Sequence, residues 1–514
     1  MRARRPWRSL RASAVTVAVL FAGAVGGVTG GAIAAGPAAA AVTAISTNPA
    51  LYPTFNPGVS DYVVRCTQTT AVRVTVTATA GTTVHVDGKV PAGGAVQVPL
   101  RYGQSFTIEA TSAGMTQDYF VRCLPAGFPP WTSQRPGTPQ AEYYLVAPSL
   151  GFGASRWVII FDTHGVPIWW MAPAANLPLD AKLVQNGSST DVLWTDMQAS
   201  NVNVGPAAEE HSLDGRTSRT VHIVSPAGGP TYNLNPHEVQ LLGNGDDLLI
   251  GDYPRPGVDL SPIGGSTSAT ILDDVVQEVT PAGAAVWTWD AYDHVGIAEV
   301  DPQWRSTAIA GTAAHDVFHI NSATTDGAGN LLVSLRYTDA AFFVDNPAGT
   351  TNAGRVVWKL GGVAAQKDGG QVLTISDSGC SGTCFGGQHY ARFFDAGDGK
   401  QYVSLHDNGT NRGRSPRAVR YLIDPLAGIA TRVEQVTDPA IRSASCCGSA
   451  KRLPGGDWVA SWGANPLVAE YTPAGARVFS ITFNGPYSYR TDPVLPGVLT
   501  RPALRAAMNT MSPR

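Results

Sequence analysis

The sequence predicts an all-β protein in which a small β-sandwich precedes a six-bladed β-propeller. Three observations carry this prediction: many turn residues, short alternating strands near the N-terminus, and a repeat of paired hairpins in the rest of the chain. The 514 residues include 56 glycines and 37 prolines, and 44% of all residues are hydrophobic. This composition supplies a large core and many turns, which excludes an all-helical protein and wholesale disorder.

The first 41 residues predict a secretory signal peptide. Five arginines among the first eleven residues precede a mostly apolar run at residues 12–22, and an Ala-rich stretch with A-x-A cleavage sequences follows. We therefore expect a secreted protein. The remaining chain is mildly acidic and has no basic block, which argues against nucleic acid or an anionic membrane as a partner.

Six cysteines in an exported chain predict disulfide bonds before metal ligands. Cys66 and Cys123 bracket the first folded segment, and we pair them. The remaining four form either two local bridges, one of them vicinal, or two bridges between neighbouring loops: Cys380, Cys384, Cys446 and Cys447. No C-x-x-C pair or histidine spacing supports a zinc site, so we expect no bound metal.

Residues 43–125 predict the β-sandwich domain. Apolar and polar residues alternate there in short runs, with turn residues every eight to twelve positions. The segment resembles the cadherin-like or immunoglobulin-like modules of many secreted bacterial proteins, and that resemblance implies a structural role. A proline-rich linker at residues 126–140 follows.

A repeat of hairpins predicts the propeller at residues 141–495. Six glycine turns between apolar segments recur at residues 161–169, 212–216, 279–287, 344–358, 422–428 and 471–478. A second hairpin precedes most of them, at residues 241–250, 327–333, 396–403 and 453–459. Two hairpins make one four-stranded blade, so six repeats make six blades. We expect a strand at residues 141–147 to help close the ring and residues 496–514 to form a tail.

Three histidines fall just ahead of the first strand in successive blades. They are His237, His319 and His389. The first strand of each blade lines the propeller axis, so equivalent positions converge at one mouth of the channel. We therefore expect the three imidazoles to share one functional pocket.

The predicted second strands of two successive blades each carry a polar residue at the same position of the repeat. The segments Val-Ser-Leu-Arg and Val-Ser-Leu-His align, which places Arg336 and His406 alike. An arginine buried among histidines needs a counterion, so the constellation predicts an anionic ligand. The alternative is that backbone carbonyls or a carboxylate such as Asp316 satisfy Arg336.

Together, these motifs resemble the bacterial arylsulfotransferases over residues 140–490. The matching motifs are His-Glu before Gly-Asn-Gly, Asp-x-x-His-x-Asn-Ser before Ser-x-Arg, Trp-Lys-Leu-Gly-Gly, and Gly-Gln-His before Asp-Asn-Gly. The resemblance implies transfer of a sulfuryl group from an aryl sulfate to a phenol, without a nucleotide donor. It also implies that His389 is the nucleophile and that the other pocket residues are His237, His319, Asn321 and Arg336.

The chemistry of the residues agrees with that resemblance. A neutral imidazole can attack sulfur, Arg336 and Asn321 can hold the sulfonate oxygens, and His237 or His319 can exchange the phenol proton. The sequence contains no G-x-x-x-x-G-K-[ST] loop, H-E-x-x-H or G-x-S-x-G motif, so we expect no cofactor.

Two other functions compete with this one. The main alternative is a secreted propeller that binds or scaffolds a partner without catalysis. A quinone-dependent dehydrogenase is the third, but such enzymes usually have eight blades and an acidic metal-binding cluster that the sequence lacks.

Overall fold

The structure, a computed structural model, describes residues 42–514 apart from 92–93, 174, 199–203, 312, 351, 365–366, 379 and 381–383. The predicted signal peptide therefore lies outside the described residues. Strands dominate, and the helices of the described part are short: α1 (Ala291–His294), α2 (Arg305–Ala308), α3 (Arg501–Met511) and single 3₁₀ turns at Ser261–Ile263, Ile297–Glu299 and Arg336–Thr338. None of these helices is long and apolar enough to cross a membrane.

The N-terminal module consists of two sheets that share one apolar core. Its strands are β1 (Val42–Asn48), β2 (Leu51–Tyr52), β3 (Asp61–Val64), β4 (Val72–Ala78), β5 (Thr83–Val86), β6 (Val96–Val98), β7 (Ser105–Ser112) and β8 (Met115–Cys123). One sheet has the order β1-β4-β6 and the other β2-β3-β8-β7-β5. The predicted Cys66–Cys123 bond is confirmed and lies in that core. The likeness to cadherin-like or immunoglobulin-like modules stays a prediction.

The rest of the chain forms six four-stranded antiparallel blades, which confirms the predicted propeller. A further strand, Gln371–Ser376, pairs in parallel with the outer strands of blades 4 and 5 and joins these two blades into one nine-stranded sheet. Blade 1 contains β10 (Tyr143–Val146), β12 (Val158–Asp162) and β13 (Pro167–Met171), together with a fourth strand from the end of the propeller that is described below. Blade 2 contains β14 (Leu177–Asn186), β15 (Ser189–Met197), β16 (Ala208–Ser212) and β17 (Ser218–Val221). Blade 3 contains β18 (Asn233–Leu241), β19 (Asp247–Val258), β20 (Ala269–Val279) and β21 (Ala285–Asp290).

Blade 4 contains β23 (Ile320–Thr325), β24 (Leu331–Leu335), β25 (Ala340–Val344) and β26 (Val356–Gly361). Blade 5 contains β28 (His389–Phe394), β29 (Gln401–Asp407), β30 (Arg417–Asp424) and β31 (Ile429–Val436). Blade 6 contains β32 (Ser449–Arg452), β33 (Trp458–Ser461), β34 (Leu467–Tyr471) and β35 (Arg477–Phe483). The additional strands are β9 (Trp131–Gln134), β11 (Leu150–Gly151), β22 (His315–Asp316), β27 (Gln371–Ser376), β36 (Pro486–Tyr487) and β37 (Thr491–Val494).

Each predicted glycine turn lies in the outer hairpin of one blade. The turn of blade 1 shows why glycine is needed there: Gly165 has φ +73°, and its N–H donates to the Asp162 carbonyl at 3.0 Å. A left-handed conformation of this kind suits glycine and makes the turn compatible with strand twist. The same turn recurs at Gly215, Gly283 and Gly475, whereas the outer hairpins of blades 4 and 5 have different turns.

The ring closes through both ends of the propeller. The C-terminal strand β37 is the innermost strand of blade 1, and it pairs with β10, which is the strand predicted at residues 141–147. The innermost strands contact one another in the circular order β37, β14, β18, β23, β28, β32 and back to β37. Six inner strands thus surround one axis.

Two segments differ from their predicted roles. The predicted linker contains β9, which pairs with β35 as a fifth strand of blade 6. The predicted tail contains α3, which Thr500 caps by accepting a hydrogen bond from the Ala503 N–H. Leu504 and Met508 of α3 are buried against blade 1, because the helix repeat places both on one face.

Helix α3 also joins the propeller to the N-terminal module. Arg501 and Arg505 both contact Asp61, at 3.1 Å and 2.6 Å, and Arg501 also contacts Asp162 of blade 1 at 2.8 Å. The C-terminus therefore closes the propeller and then binds the module that precedes it.

Candidate active site

Two of the three sequence-predicted histidines lie where inner strands begin, and the third lies within an inner strand rather than ahead of it. His237 is in β18, His319 directly precedes β23, and His389 is the first residue of β28. The ring centroids of His237 and His319 are 5.3 Å apart. The ring of Tyr489 contacts both sides of the group, with its centroid 5.4 Å from that of His237 and 6.4 Å from that of His389. The propeller thus brings the three imidazoles to one site.

Hydrogen bonds assign the tautomer of His389. Its Nδ1 lies 2.9 Å from the Gly387 carbonyl and 2.9 Å from Asn408 Oδ1, and both oxygens are acceptors. Its Nε2 lies 3.1 Å from the N–H of Cys447, which is a donor. The proton is therefore on Nδ1, and Nε2 carries the lone pair.

Burial keeps His389 and His237 neutral. His389 is 1% exposed and His237 is 7% exposed. Burial holds the pKa of His389 well below its usual range, and the nearby Arg336 lowers it further. Burial also lowers the pKa of His237, with further contributions from His319 and Arg490. A buried neutral imidazole whose lone pair is on the unprotonated nitrogen can act as a nucleophile without prior deprotonation.

The other two histidines have different partners. His237 Nδ1 lies 2.5 Å from the amide oxygen of Asn235, whereas His319 Nδ1 lies 2.5 Å from the carboxylate of Asp316. Both contacts place the proton on Nδ1. His319 has φ +56°, and its ring stacks on Tyr337. It is the only one of the three site histidines paired with a carboxylate among the described residues.

Arg336 is buried, and no carboxylate of the described residues pairs with it. Its side chain lies over the ring of Trp304, 4.1 Å from the centroid, and Nη2 donates to the Ser445 carbonyl at 2.7 Å. Its Nε is buried and has no hydrogen-bond partner in the described part of the chain. Asp316, the alternative partner considered from the sequence, contacts His319 instead. Arg336 therefore keeps donor capacity for an anion.

Glycine at residue 387 permits this arrangement. Gly387 has φ +65°, and a Cβ there would lie 3.0 Å from the Trp304 ring and 3.3 Å from Arg336 Nε. Asp339 fixes the surroundings by accepting hydrogen bonds from Trp304 Nε1 at 2.9 Å and from the Gly387 N–H at 2.7 Å. The arginine thus lies between an indole face and the backbone that carries His389.

Asn321 holds the backbone beside His389. It is fully buried, and its Nδ2 donates to the Gln388 carbonyl at 2.7 Å. The Gln388 side chain in turn donates to blade 4, to the carbonyls of Leu335 and Ala340 at 3.1 Å and 2.9 Å. Asn321 was predicted from the family resemblance to bind substrate, and in the structure it joins blade 4 to blade 5.

His406 occupies the position equivalent to Arg336 but a different environment. It pairs with His389 across β28 and β29. Its ring, however, packs on Trp462 and against the backbone of Gly448, and neither ring nitrogen has a partner among the described residues. Burial lowers the pKa of His406 to about 4. The structure therefore places this predicted substrate-binding residue in the wall between blades 5 and 6.

The sequence pattern does not reveal three aromatic residues of the site: Trp304, Tyr337 and Tyr489. Burial raises the pKa of Tyr337 to about 12 and also raises that of Tyr489, so both phenols are neutral. Tyr489 belongs to an apolar cluster with Cys447, Leu179 and Met197, which also contacts Leu150, Leu177, Cys446 and Tyr487. The site therefore has an apolar, partly aromatic wall.

All six cysteines form disulfide bonds. Besides the pair in the N-terminal module, Cys380 bonds to Cys384 and Cys446 bonds to Cys447. This is the prediction with two local bridges, one of them vicinal. Asp377 lies close to the first of these bridges, but bonded sulfur atoms are not thiolate ligands, so this group does not form a zinc site.

A buried ion-pair network lies next to the three site histidines. Arg490 contacts Asp180 at 2.6 Å and Glu238 at 3.0 Å, and its Nη2 donates to the Asn321 carbonyl at 2.7 Å. A cavity of about 590 Å³ includes Asp180 and Arg490 in its lining and none of the three site histidines. The network thus separates that cavity from the histidines.

The fold and the site together define a β-propeller in which three histidines and a buried arginine cluster at the inner strands. The sequence profile of the arylsulfotransferase family matches residues 216–484, which is more than half of the chain. This protein belongs to the arylsulfotransferase family. No curated protein matches the sequence.

Solved structures give only distant similarities. A protein of unknown function from Bacteroides caccae has a TM-score of 0.37 and 14% identity, over 69% of this chain and 99% of that one. A protein from Lactobacillus plantarum has a TM-score of 0.36 and 16% identity, over 68% and 82%. Virginiamycin B lyase from Staphylococcus aureus has a TM-score of 0.30 and 10% identity, over 78% and 99%. All three similarities are remote.

Proposed function

We propose that this protein moves a sulfuryl group from an aryl sulfate to a phenol through a sulfohistidine at His389, without a nucleotide donor. The observation that carries the proposal is the lone pair of His389 Nε2 in a site where none of the described carboxylates pairs with the buried Arg336. Membership of the arylsulfotransferase family supports the same substrate class. The apolar wall around Tyr489 supports an aryl group on the anion.

The first half-reaction transfers the group to the protein. His389 Nε2 attacks sulfur, the N–S bond forms, and the S–O bond to the aryl oxygen breaks. Sulfuryl transfer resembles phosphoryl transfer, in which positioning and charge stabilisation supply most of the catalysis. The Nδ1–H of His389 remains hydrogen-bonded to Asn408 and the Gly387 carbonyl, and these acceptors stabilise the positive charge that the ring acquires.

Arg336 stabilises the sulfonate in both half-reactions. A guanidinium that already lies against an aromatic face and lacks a competing carboxylate is oriented before the anion arrives. Its unpaired Nε and the remaining Nη protons give a planar fork for two oxygens. The anion also supplies the countercharge that Arg336 lacks in the resting site.

His319 with Asp316 is the acid and base of the reaction. The imidazolium form of His319 donates its Nε2 proton to the departing aryl oxide. The neutral ring then takes a proton at Nε2 from the acceptor phenol, whose oxygen attacks sulfur while the N–S bond breaks. The Asp316 carboxylate holds the ring in one tautomer and compensates its positive charge. His237 has only a neutral partner at Nδ1, so we assign it to substrate contact.

Substituting Asp316 with asparagine tests this assignment. We expect Asp316→Asn to slow transfer from aryl sulfates with poorly acidic phenols on the order of 10². Transfer from 4-nitrophenyl sulfate should change little, because 4-nitrophenolate leaves without protonation. Initial rates over a series of aryl sulfates measure the effect, and exposed Asp118, changed to asparagine, is the matched control. A uniform loss across the series would contradict the assignment.

A turnover assay separates the enzyme from a binding or scaffold propeller. We expect the full mature protein to release 4-nitrophenol from 4-nitrophenyl sulfate in the presence of a phenol acceptor. The rate should depend on the acceptor and not on any added nucleotide. Binding of the aryl sulfate without release of 4-nitrophenol, under conditions where the protein is folded, would instead support the non-catalytic alternative.

A further inference from the structure

The loop that precedes β32 contacts three groups of the site. The Cys447 N–H lies 3.1 Å from His389 Nε2, and the Ser445 carbonyl accepts a hydrogen bond from Arg336 Nη2 at 2.7 Å. The Cys447 carbonyl accepts a hydrogen bond from Asn408 Nδ2 at 3.0 Å, and Asn408 in turn binds His389 Nδ1. A single short segment therefore touches both ring nitrogens of His389, directly or through one residue, and also touches the arginine.

The peptide that reaches His389 has an unusual conformation. Cys447 has φ +67°, a left-handed conformation that residues other than glycine rarely adopt, and Gly448 follows with φ +103°. A Cβ at residue 448 would lie 2.5 Å from the ring of His406, so the turn packs closely against blade 5. The Cys446–Cys447 bond closes a small covalent ring across this turn. The vicinal disulfide thus restrains the one peptide whose N–H meets Nε2.

We propose that the Cys446–Cys447 disulfide positions the residue 447 N–H as a donor first to His389 Nε2 and then to a sulfonate oxygen. The first part concerns the resting protein alone. The second part rests on the proposed function, in which Nε2 is the atom that bonds to sulfur. Residue 447 acts through its backbone, so the cysteine side chains are positioning groups and take no part in bond making.

The exchange of partners follows from geometry. The N–H and the incoming sulfur both need the direction of the Nε2 lone pair, so the His389 ring shifts away from the restrained peptide as sulfur arrives. Once the N–S bond exists, Nε2 no longer accepts a hydrogen bond, while the sulfonate oxygens on that sulfur lie next to the released N–H. Backbone donors held in place in this way stabilise charge that develops during group transfer. The same N–H thus selects the reactive tautomer and receives the transferred group.

Two paired substitutions separate the backbone conformation from the disulfide itself. The glycine pair combines Cys446→Ala with Cys447→Gly, and the valine pair combines Cys446→Ala with Cys447→Val. Both pairs remove the disulfide bond. Glycine adopts a positive φ readily, whereas a β-branched residue does not. We expect the valine pair to lower kcat on the order of 10² with a smaller change in KM. The glycine pair should stay within roughly tenfold of the wild type, because it retains the N–H in an allowed conformation.

A second readout does not depend on catalysis. The groups that face His389 are the charged Arg336, the titratable His319, His237 and Tyr489, and the neutral Asn408. A donor at Nε2 favours the neutral ring, so its loss in the valine pair should raise the pKa of His389. Titration by ¹⁵N NMR of the histidine side chains in the full mature chain measures this change. Replacing Cys66 and Cys123 with alanine removes a disulfide far from the site and should leave both readouts unchanged.

The outcomes are decisive in either direction. A raised pKa of His389 and a rate order of wild type, glycine pair, valine pair support the proposal. Equal rates for the two pairs, a faster valine pair, a glycine pair as fast as the wild type, or an unchanged His389 titration would overturn it. If the wild type forms no sulfohistidine, the proposed function fails, and the titration of the resting protein still tests whether the disulfide positions the donor.

Discussion

Substituting His389 with alanine should abolish sulfuryl transfer, with a loss of at least about 10⁴-fold in kcat, the scale on which enzymes lose a covalent nucleophile. Nε2 of this residue carries the lone pair in the resting protein, and the resemblance to the arylsulfotransferases implies that this histidine is the nucleophile. Release of 4-nitrophenol from 4-nitrophenyl sulfate measures the effect.

The His389 variant should remain folded. Alanine leaves Asn408 and the Cys447 N–H without this partner, which destabilises the protein by about 1–3 kcal/mol. Thermal unfolding followed by circular dichroism checks this, and His389→Asn keeps a polar side chain at the site. His85→Ala, in the N-terminal module, is the matched control and should retain full activity. Near-native turnover by His389→Ala would remove His389 from its assigned role.

Substituting Arg336 with alanine should lower kcat by about 10² or more, which corresponds to about 2.7 kcal/mol or more of transition-state stabilisation. The guanidinium has no carboxylate partner within the described residues, so its charge is available to the sulfonate. The loss should appear mainly in kcat, because the charge on the transferred group changes as the S–O bond breaks. Steady-state kinetics with one aryl sulfate and saturating phenol give both parameters.

Lysine at residue 336 should restore little activity. An ammonium is a point charge and provides neither the planar fork nor the stacking on Trp304. Arg216, which lies on the exposed outer turn of blade 2, gives the control variant Arg216→Ala, with unchanged kinetics expected. An effect of Arg336→Ala confined to KM would indicate equal binding of ground state and transition state, and it would contradict the role assigned to this residue.

The sequence predicted the blades well because each is built from local signals. A glycine turn such as that at Gly283, with φ +80°, needs only neighbouring residues to form, and the six outer hairpins set the number of blades. The inner hairpin of blade 2 was not recognised, since its turn at residues 186–189 differs from the others. The pairing of β9 with β35 joins residues far apart in sequence, so no local pattern shows it.

The candidate site was predicted where it follows the repeat and missed where it does not. His319 and His389 lie at the starts of inner strands and His237 lies within one, and the closed ring of inner strands brings these positions together. Trp304 comes from the helical insertion between blades 3 and 4, and Tyr489 comes from the segment that closes the ring. Neither residue has a counterpart in the repeat, so only the folded chain reveals its place.

Equivalent positions also proved insufficient to predict a shared role. Arg336 and His406 match in the repeat, but Arg336 lies beside Trp304 whereas His406 packs on Trp462. The difference arises from the loops that follow each blade, because Gly448 brings the backbone of the next loop directly against the His406 ring. Side-chain environment thus depends on neighbouring blades, which the repeat pattern does not describe.

The measurement that tests the central claim most directly is the mass of the protein after mixing with an aryl sulfate and no acceptor. We expect the wild type to gain the mass of one SO₃ group. Peptide mapping under mildly basic conditions should place this group on His389, and adding a phenol should remove it. A protein that turns over the donor while remaining unmodified, or that carries the group on another residue, would contradict the account.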